Sequence, residues 1–164
     1  KRQLIVLMLW TAVSPVFSME NSTVLYRKAA LTAAGGKYDE AVNEFLKVIK
    51  VNPSYALGHY GLGKLYLYRE NKIKDAVKHL EQAVRCDRGF AKAYFYLGMA
   101  YMLDKKYSRA AGAFTTAYNL DRGMYEALFN LSIIYDTINN RYLSRRYYDR
   151  YLLEKQKREL DILF

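Results

Sequence analysis

The chain has 164 residues, enough for one domain with a continuous apolar core, and 52% hydrophobic content with only two prolines excludes a disordered or loop-rich protein. A formal net charge of +10 favours acidic partners, nucleic acid or an anionic membrane surface, without choosing between them. The single cysteine, Cys86, excludes an internal disulfide framework and any multi-cysteine zinc site.

The first 18 residues read differently from the rest. Lys1 and Arg2 precede the apolar run Leu4–Trp10, and a weaker stretch ends at Val16-Phe17-Ser18. A basic start, a short apolar core and a small terminal residue are the order of a secretory signal peptide, with cleavage expected before Met19. The stretch carries Pro15 and is shorter than the roughly 20 apolar residues that a spanning helix needs. A cleaved signal over residues 1–18 is therefore expected, which implies a periplasmic or otherwise exported protein. The alternative is a membrane anchor formed by the same segment.

From Asn21 onward the chain repeats itself. Small residues at Ala29, Gly63, Gly98 and Ser132 form one ladder, and Ala41, Ala76, Ala110 and Ser144 form a second. Phe45, Leu80, Phe114 and Tyr148 form a third, followed by Val48, Ala83, Ala117 and Tyr151. Every step is 34 or 35 residues, and the extra residue falls in the polar stretch Arg69–Lys74. Four units follow, over about residues 22–55, 56–90, 91–124 and 125–158 of a single domain 21–164. In the third, Tyr94, Leu97, Gly98 and Tyr101 mark one helix face, and Ala110, Phe114 and Ala117 mark a second helix. Asp104-Lys105-Lys106 is the turn between them, and Asp121-Arg122-Gly123 ends the pair with a glycine expected in the left-handed region. Gly89 is expected to serve the second unit in the same way. One hairpin of this kind cannot bury its apolar face alone, whereas stacked neighbours can.

These features resemble the tetratricopeptide repeat family. Gly36-Lys37-Tyr38-Asp39-Glu40-Ala41 matches the family's glycine–aromatic–acid–alanine pattern, and Leu62-Gly63 with Tyr66 and Leu97-Gly98 with Tyr101 match its first-helix pattern. The fold so implied is all-α, a right-handed α-solenoid of four helix hairpins closed by the long, charged C-terminal helix Arg141–Phe164 acting as a cap. The fourth unit departs from the pattern, with serines at its small positions and no proline at its end. Ile162-Leu163-Phe164 is expected to be either frayed or covered by a partner.

The resemblance implies a concave groove lined by the first helices, holding a partner's extended peptide or helix. Its inward positions map here to Tyr26 and Ala30, then to Leu57, Tyr60, Lys64 and Leu67. The third unit adds Lys92, Phe95, Met99 and Met102, and the fourth adds Glu126, Phe129, Ile133 and Asp136. Some of these side chains are expected to pack between helices instead. The lysine and asparagine clamp by which chaperone adaptors of this family hold a terminal carboxylate fits only at Lys92. Tyr26, Ala30, Gly61 and Tyr96 stand where that clamp needs polar groups.

Catalysis is not expected. His59 lies on an apolar face and reads as packed, His79 reads as solvent-facing, and neither has a histidine or cysteine at a metal-ligand spacing. Cys86, beside Arg85 and Arg88, reads as a semi-buried structural thiol. No cofactor is implied, and Gly35-Gly36 belongs to a repeat turn, not a phosphate loop. Arg141, Arg145, Arg146 and Arg150 form a basic outer face interleaved with tyrosines, a composition that can bind single-stranded nucleic acid. Tyr148 and Tyr151 are already explained by the core ladders, however, and contact with anionic lipid or an acidic partner ranks above nucleic acid. The reading is a non-enzymatic exported scaffold for another protein, aiding assembly of an envelope complex. Homo-oligomerisation through the C-terminal helix is compatible with it. The alternatives are a cytoplasmic chaperone for secreted subunits and a basic nucleic-acid-binding protein.

Overall fold

Eight helices in antiparallel pairs make up the computed structural model, which describes residues 21–69 and 72–161. The expected signal segment 1–18 and the Ile162-Leu163-Phe164 end lie outside the described residues. The helices are α1 (residues 21–34), α2 (Tyr38–Val51), α3 (Ala56–Leu67), α4 (Ile73–Cys86), α5 (Ala91–Leu103), α6 (Tyr107–Leu120), α7 (Glu126–Thr137) and α8 (Arg141–Asp161). The pairs are α1/α2, α3/α4, α5/α6 and α7/α8.

The second helix of each inner pair is amphipathic. In α4, Ala76, Val77, Leu80 and Ala83 recur at helical spacing and are buried. Asp75 in its first turn and Arg85 in its last complement the helix dipole, as Asp39, Glu40 and Lys50 do in α2. α3 and α5 are apolar nearly all round because each is covered on several sides. Helices adjacent in the chain pack on one another, and α3 also touches α5, which is the nearest-neighbour pattern of a solenoid. The core runs continuously through Leu67, Leu80, Leu97, Phe114, Leu128, Leu131 and Ile134, with a second cluster around Ala29, Ala41, Phe45 and Leu62. Burial of each large side chain stabilises the array by about 1.5–3 kcal/mol.

Two recurrent turns set the stacking. Within a pair, α1 ends with Gly36 at φ 77, α5 with Lys105 at φ 57 and α7 with Asn139 at φ 59. These residues occupy one repeat position. Each closes the same double bond: Lys106 N–H donates to Tyr101 O at 2.8 Å and Lys105 N–H to Met102 O at 3.1 Å, with the counterparts at Lys37 and Asn140. Between pairs the chain uses an acidic or amide side chain instead. Gly89 N–H donates to Asp87 Oδ1 at 2.9 Å, Gly123 N–H to Asp121 Oδ1 at 2.8 Å, and Ser54 N–H to Asn52 Oδ1 at 3.1 Å. The expectation that Gly89 and Gly123 are left-handed is therefore corrected, since among the described residues only Gly36, Lys105 and Asn139 have positive φ.

The fourth pair differs at its outer surface. Tyr148, assigned by its ladder to the core, is exposed, because no described helix lies where the preceding repeats place their neighbour. Cys86 is likewise exposed rather than semi-buried.

Candidate functional site

One aromatic side chain stands at the same register of the first helix in all four repeats: Tyr26, Tyr60, Phe95 and Phe129. The first three are half-buried and Phe129 is exposed. Their footing comes from the repeat geometry. Tyr26 tilts against Phe45 at 5.7 Å between ring centres, Phe95 meets Phe114 edge-on at 5.4 Å, and Phe129 lies on Tyr148 and Tyr151 at 6.3 and 5.2 Å. Tyr60 rests between Phe90 at 4.9 Å and Tyr96 at 5.5 Å, and Tyr96 touches Phe95 at 5.9 Å. The rings thus form a nearly continuous apolar strip across the middle repeats.

At the α1 end of the strip lies a hollow of about 690 Å³, lined by Tyr26, Ala30, Phe45, Tyr60, Gly61 and Lys64 among others. Gly61 is small there for a steric reason: a Cβ would sit 2.4 Å from the Phe45 ring. A longer polar side chain at that position would displace Phe45, so the chaperone-adaptor clamp is sterically as well as chemically foreign to this groove. Burial, and next to it the Tyr96 side chain, hold the Tyr60 phenol well above its ordinary pKa. It therefore stays a neutral hydroxyl in the hollow. Lys64 is exposed, with its ammonium 5.4 Å from the centre of the Tyr96 ring, and Lys92 is exposed on α5. The strip is apolar with positive flanks.

Not every expected groove residue belongs to it. Leu67 is buried in the continuous core and offers nothing to a partner. Met99 and Met102 are partly buried against that core, and Leu57 is half-buried. Ile133 and the acidic residues Glu126 and Asp136 are exposed on α7. The basic outer face is exposed at Arg141, Arg145, Arg146 and Arg150, but part of it is engaged. Arg145 faces Asp149 at 3.9 Å, and the Arg150 guanidinium lies 5.0 Å from the centre of the buried Tyr118 ring.

The sequence reading missed the histidine pair. His79 is half-buried rather than turned to solvent: its Nδ1 is 3.2 Å from Nδ1 of the buried His59, with the rings stacked at 5.5 Å. His59 Nε2 is 2.9 Å from the Pro53 carbonyl, which can only accept. That nitrogen therefore carries a proton, and in an uncharged His59 Nδ1 accepts from His79 Nδ1–H. The 20-residue separation of the two histidines, across an α3–α4 hairpin, was the available signal.

An array of stacked helix pairs with an open apolar strip defines a helical-repeat interaction scaffold. The family descriptions "TPR repeat", over residues 32–68, and "Tetratricopeptide repeat", over residues 65–127, match the sequence, and the chain belongs to the tetratricopeptide repeat family. It is 39% identical over 69 residues to the TPR repeat-containing thioredoxin TTL4 of Arabidopsis thaliana, a match covering 42% of this chain and 10% of that protein's length. Among solved structures, a crystal structure of MamA superposes with a TM-score of 0.80 at 19% identity, over 85% of this chain and 81% of that one. The first TPR of Spaghetti (RPAP3), bound to the HSP90 peptide SRMEEVD, superposes with a TM-score of 0.69 at 25% identity, over 73% of this chain and 94% of that one. The fold is typically a non-catalytic protein–protein interaction scaffold, and the RPAP3 neighbour carries its peptide in that role.

Proposed function

We propose that this chain is a non-catalytic adaptor that holds an apolar peptide or helix of another protein along the strip Tyr26–Tyr60–Phe95–Phe129. The single observation that carries the reading is the recurrence of a partly exposed aromatic at one register in four successive repeats. Core packing alone would bury those rings, as it buries Leu62, Leu80 and Phe114. Lys64 and Lys92 beside the strip favour a partner with acidic residues next to its apolar anchors. The basic–apolar–small order of residues 1–18 supports export, and with it a role in assembling an envelope complex; intact mass of the native protein starting at Met19 is the expected result.

Site-specific photo-crosslinking in cells tests the groove. A benzophenone side chain in place of Lys64 or Phe129 should yield a discrete protein adduct. Tyr60→Ala with Phe129→Ala should reduce the Lys64 adduct at least about tenfold, since truncated aromatic anchors typically cost about 2 kcal/mol or more each. Adducts from Arg146 but none from the groove positions would move the function to the basic outer face.

A further inference from the structure

The hollow beside Tyr26 and Tyr60 follows from side-chain size at fixed repeat positions. Ala30, Ala33 and Ala34 line it from α1, and Gly61 lines it from α3. One repeat further on, the same four positions hold Lys64, Leu67, Tyr68 and Tyr96. There the space is taken up: Leu67 is buried, and the Lys64 ammonium lies 5.4 Å from the centre of the Tyr96 ring. In the third repeat the three alanine positions become Met99, Met102 and Leu103. Small residues at the first junction therefore leave about 690 Å³ open where larger ones stand at the next.

The lining of this hollow is apolar with one uncommitted charge. Phe45, Leu65 and the alanines supply aliphatic and aromatic surface, and Tyr26, Tyr60 and Tyr68 add phenols. Burial raises the pKa of all three phenols, so they remain neutral hydroxyls. No carboxylate is among the lining residues. Arg69 is already engaged, with its guanidinium 2.6 Å from Asp39 Oδ1. Lys64 is exposed, and among the described residues no carboxylate pairs with it. The volume falls in the range of small-molecule sites, roughly 300–1,000 Å³, and is larger than one amino-acid side chain fills.

We propose that the hollow binds a small amphiphilic carboxylate, an aliphatic or aromatic body carrying one acidic group. The body covers the alanine and ring surfaces and removes them from water. The acid meets the Lys64 ammonium in a charge-assisted contact. An amine of the same shape would instead bring a second cation beside Lys64, and a short acid such as acetate has no body to bury. The occupant is a small molecule rather than a partner's side chain because the space exceeds one side chain. The strip that suits a peptide, moreover, runs on past the hollow through the filled repeats. Binding there needs no partner protein, although the ligand shares Tyr26 and Tyr60 with the strip.

Isothermal titration of the full chain with dodecanoate and with naphthoate, both below micellar concentration, tests this. One-to-one binding of at least one of them is expected, with dodecylammonium and acetate much weaker. Ala30→Met with Ala33→Met gives α1 the residues that α5 carries at these positions, fills the hollow and should abolish binding at native helicity. Ala34 is exposed, so Ala34→Tyr narrows the hollow without touching the core and should weaken binding as well. Lys64→Met should lower carboxylate affinity about tenfold, the loss of one charge-assisted contact, and leave dodecanol unaffected. A wild-type chain that binds neither carboxylate overturns the proposal, as does binding that survives the filled hollow, or dodecylammonium binding as tightly as dodecanoate. If neither carboxylate binds and filling the hollow instead removes the Lys64 photo-adduct, the space is an anchor pocket for the partner protein. The ligand proposal then falls while the adaptor reading stands.

Discussion

His79 is the side chain whose chemistry departs furthest from its sequence reading. Burial first, then the neighbouring His59 and Lys78, lower its pKa from 6.5 to about 4, with Asp75 acting weakly the other way. The folded chain therefore refuses a proton that the unfolded chain accepts. The stability this represents is complete above pH 6.5, is lost as pH falls through the window from 6.5 to about 4, and levels off below it. The ring reaches solvent, so the loss is damped to about 1–2 kcal/mol. Urea midpoints at pH 7 and pH 5 should separate more for the wild type than for His79→Gln; equal separations would show that the pair does not govern acid sensitivity. Lys105 offers a second residue-scale test. It holds φ 57 where the first repeat uses glycine, and a left-handed lysine costs about 1 kcal/mol relative to glycine. Lys105→Gly should therefore raise the thermal midpoint, and a lowered midpoint would mean that the lysine stem stabilises the turn by packing.

Helix approach within and between repeats is set by glycines of two kinds. A Cβ on Gly63 would lie 2.5 Å from Leu80 Cγ and 3.2 Å from its backbone nitrogen, so Gly63→Ala must push α3 and α4 apart, at about 1–3 kcal/mol. Gly112, in the exposed middle of α6, has nothing within 4 Å of the same atom. Gly112→Ala should instead stabilise by about 0.5–1 kcal/mol through helix propensity. Denaturant titration of both variants tests the contrast, and the same sign for both would refute it. Helix pairing, repeat phase and the role of Gly63 and Gly98 were legible in the sequence because they depend on periodicity and residue size. What was not legible depended on the third dimension. The left-handed residue moved to Lys105 and Asn139 because Asp87 and Asp121 already satisfy the other turns through their own side chains. Leu67 left the groove because α3 is covered on more sides than a two-sided helix face suggests. His79 paired with His59 because the hairpin brings α3 and α4 together at that level. The aromatic strip was legible residue by residue, but its footing on Phe45, Phe114 and Tyr151 was not.

Across the whole molecule, the absence of broad contacts between distant described helices makes stability a sum of local terms. An inner pair opens only by breaking two junctions, whereas α1 or the outer half of α8 opens by breaking one. Native-state hydrogen exchange at low protein concentration should therefore show the slowest amides in α4, α5 and α6, with protection falling towards α1 and α8. A core truncation separates this from ordinary global cooperativity. Leu80 is fully buried and fills the space under Gly63, so Leu80→Ala should cost about 2–5 kcal/mol. In a nearest-neighbour array, that loss weakens α3 and α4 most and α5 next, while α7 and α8 keep much of their protection against each other. Uniform loss across all the helices would mean that the four repeats open only together. The groove would then be one rigid surface rather than a row of separable anchors, because a partner seated on Tyr60 would stabilise Phe129's repeat as strongly as its own.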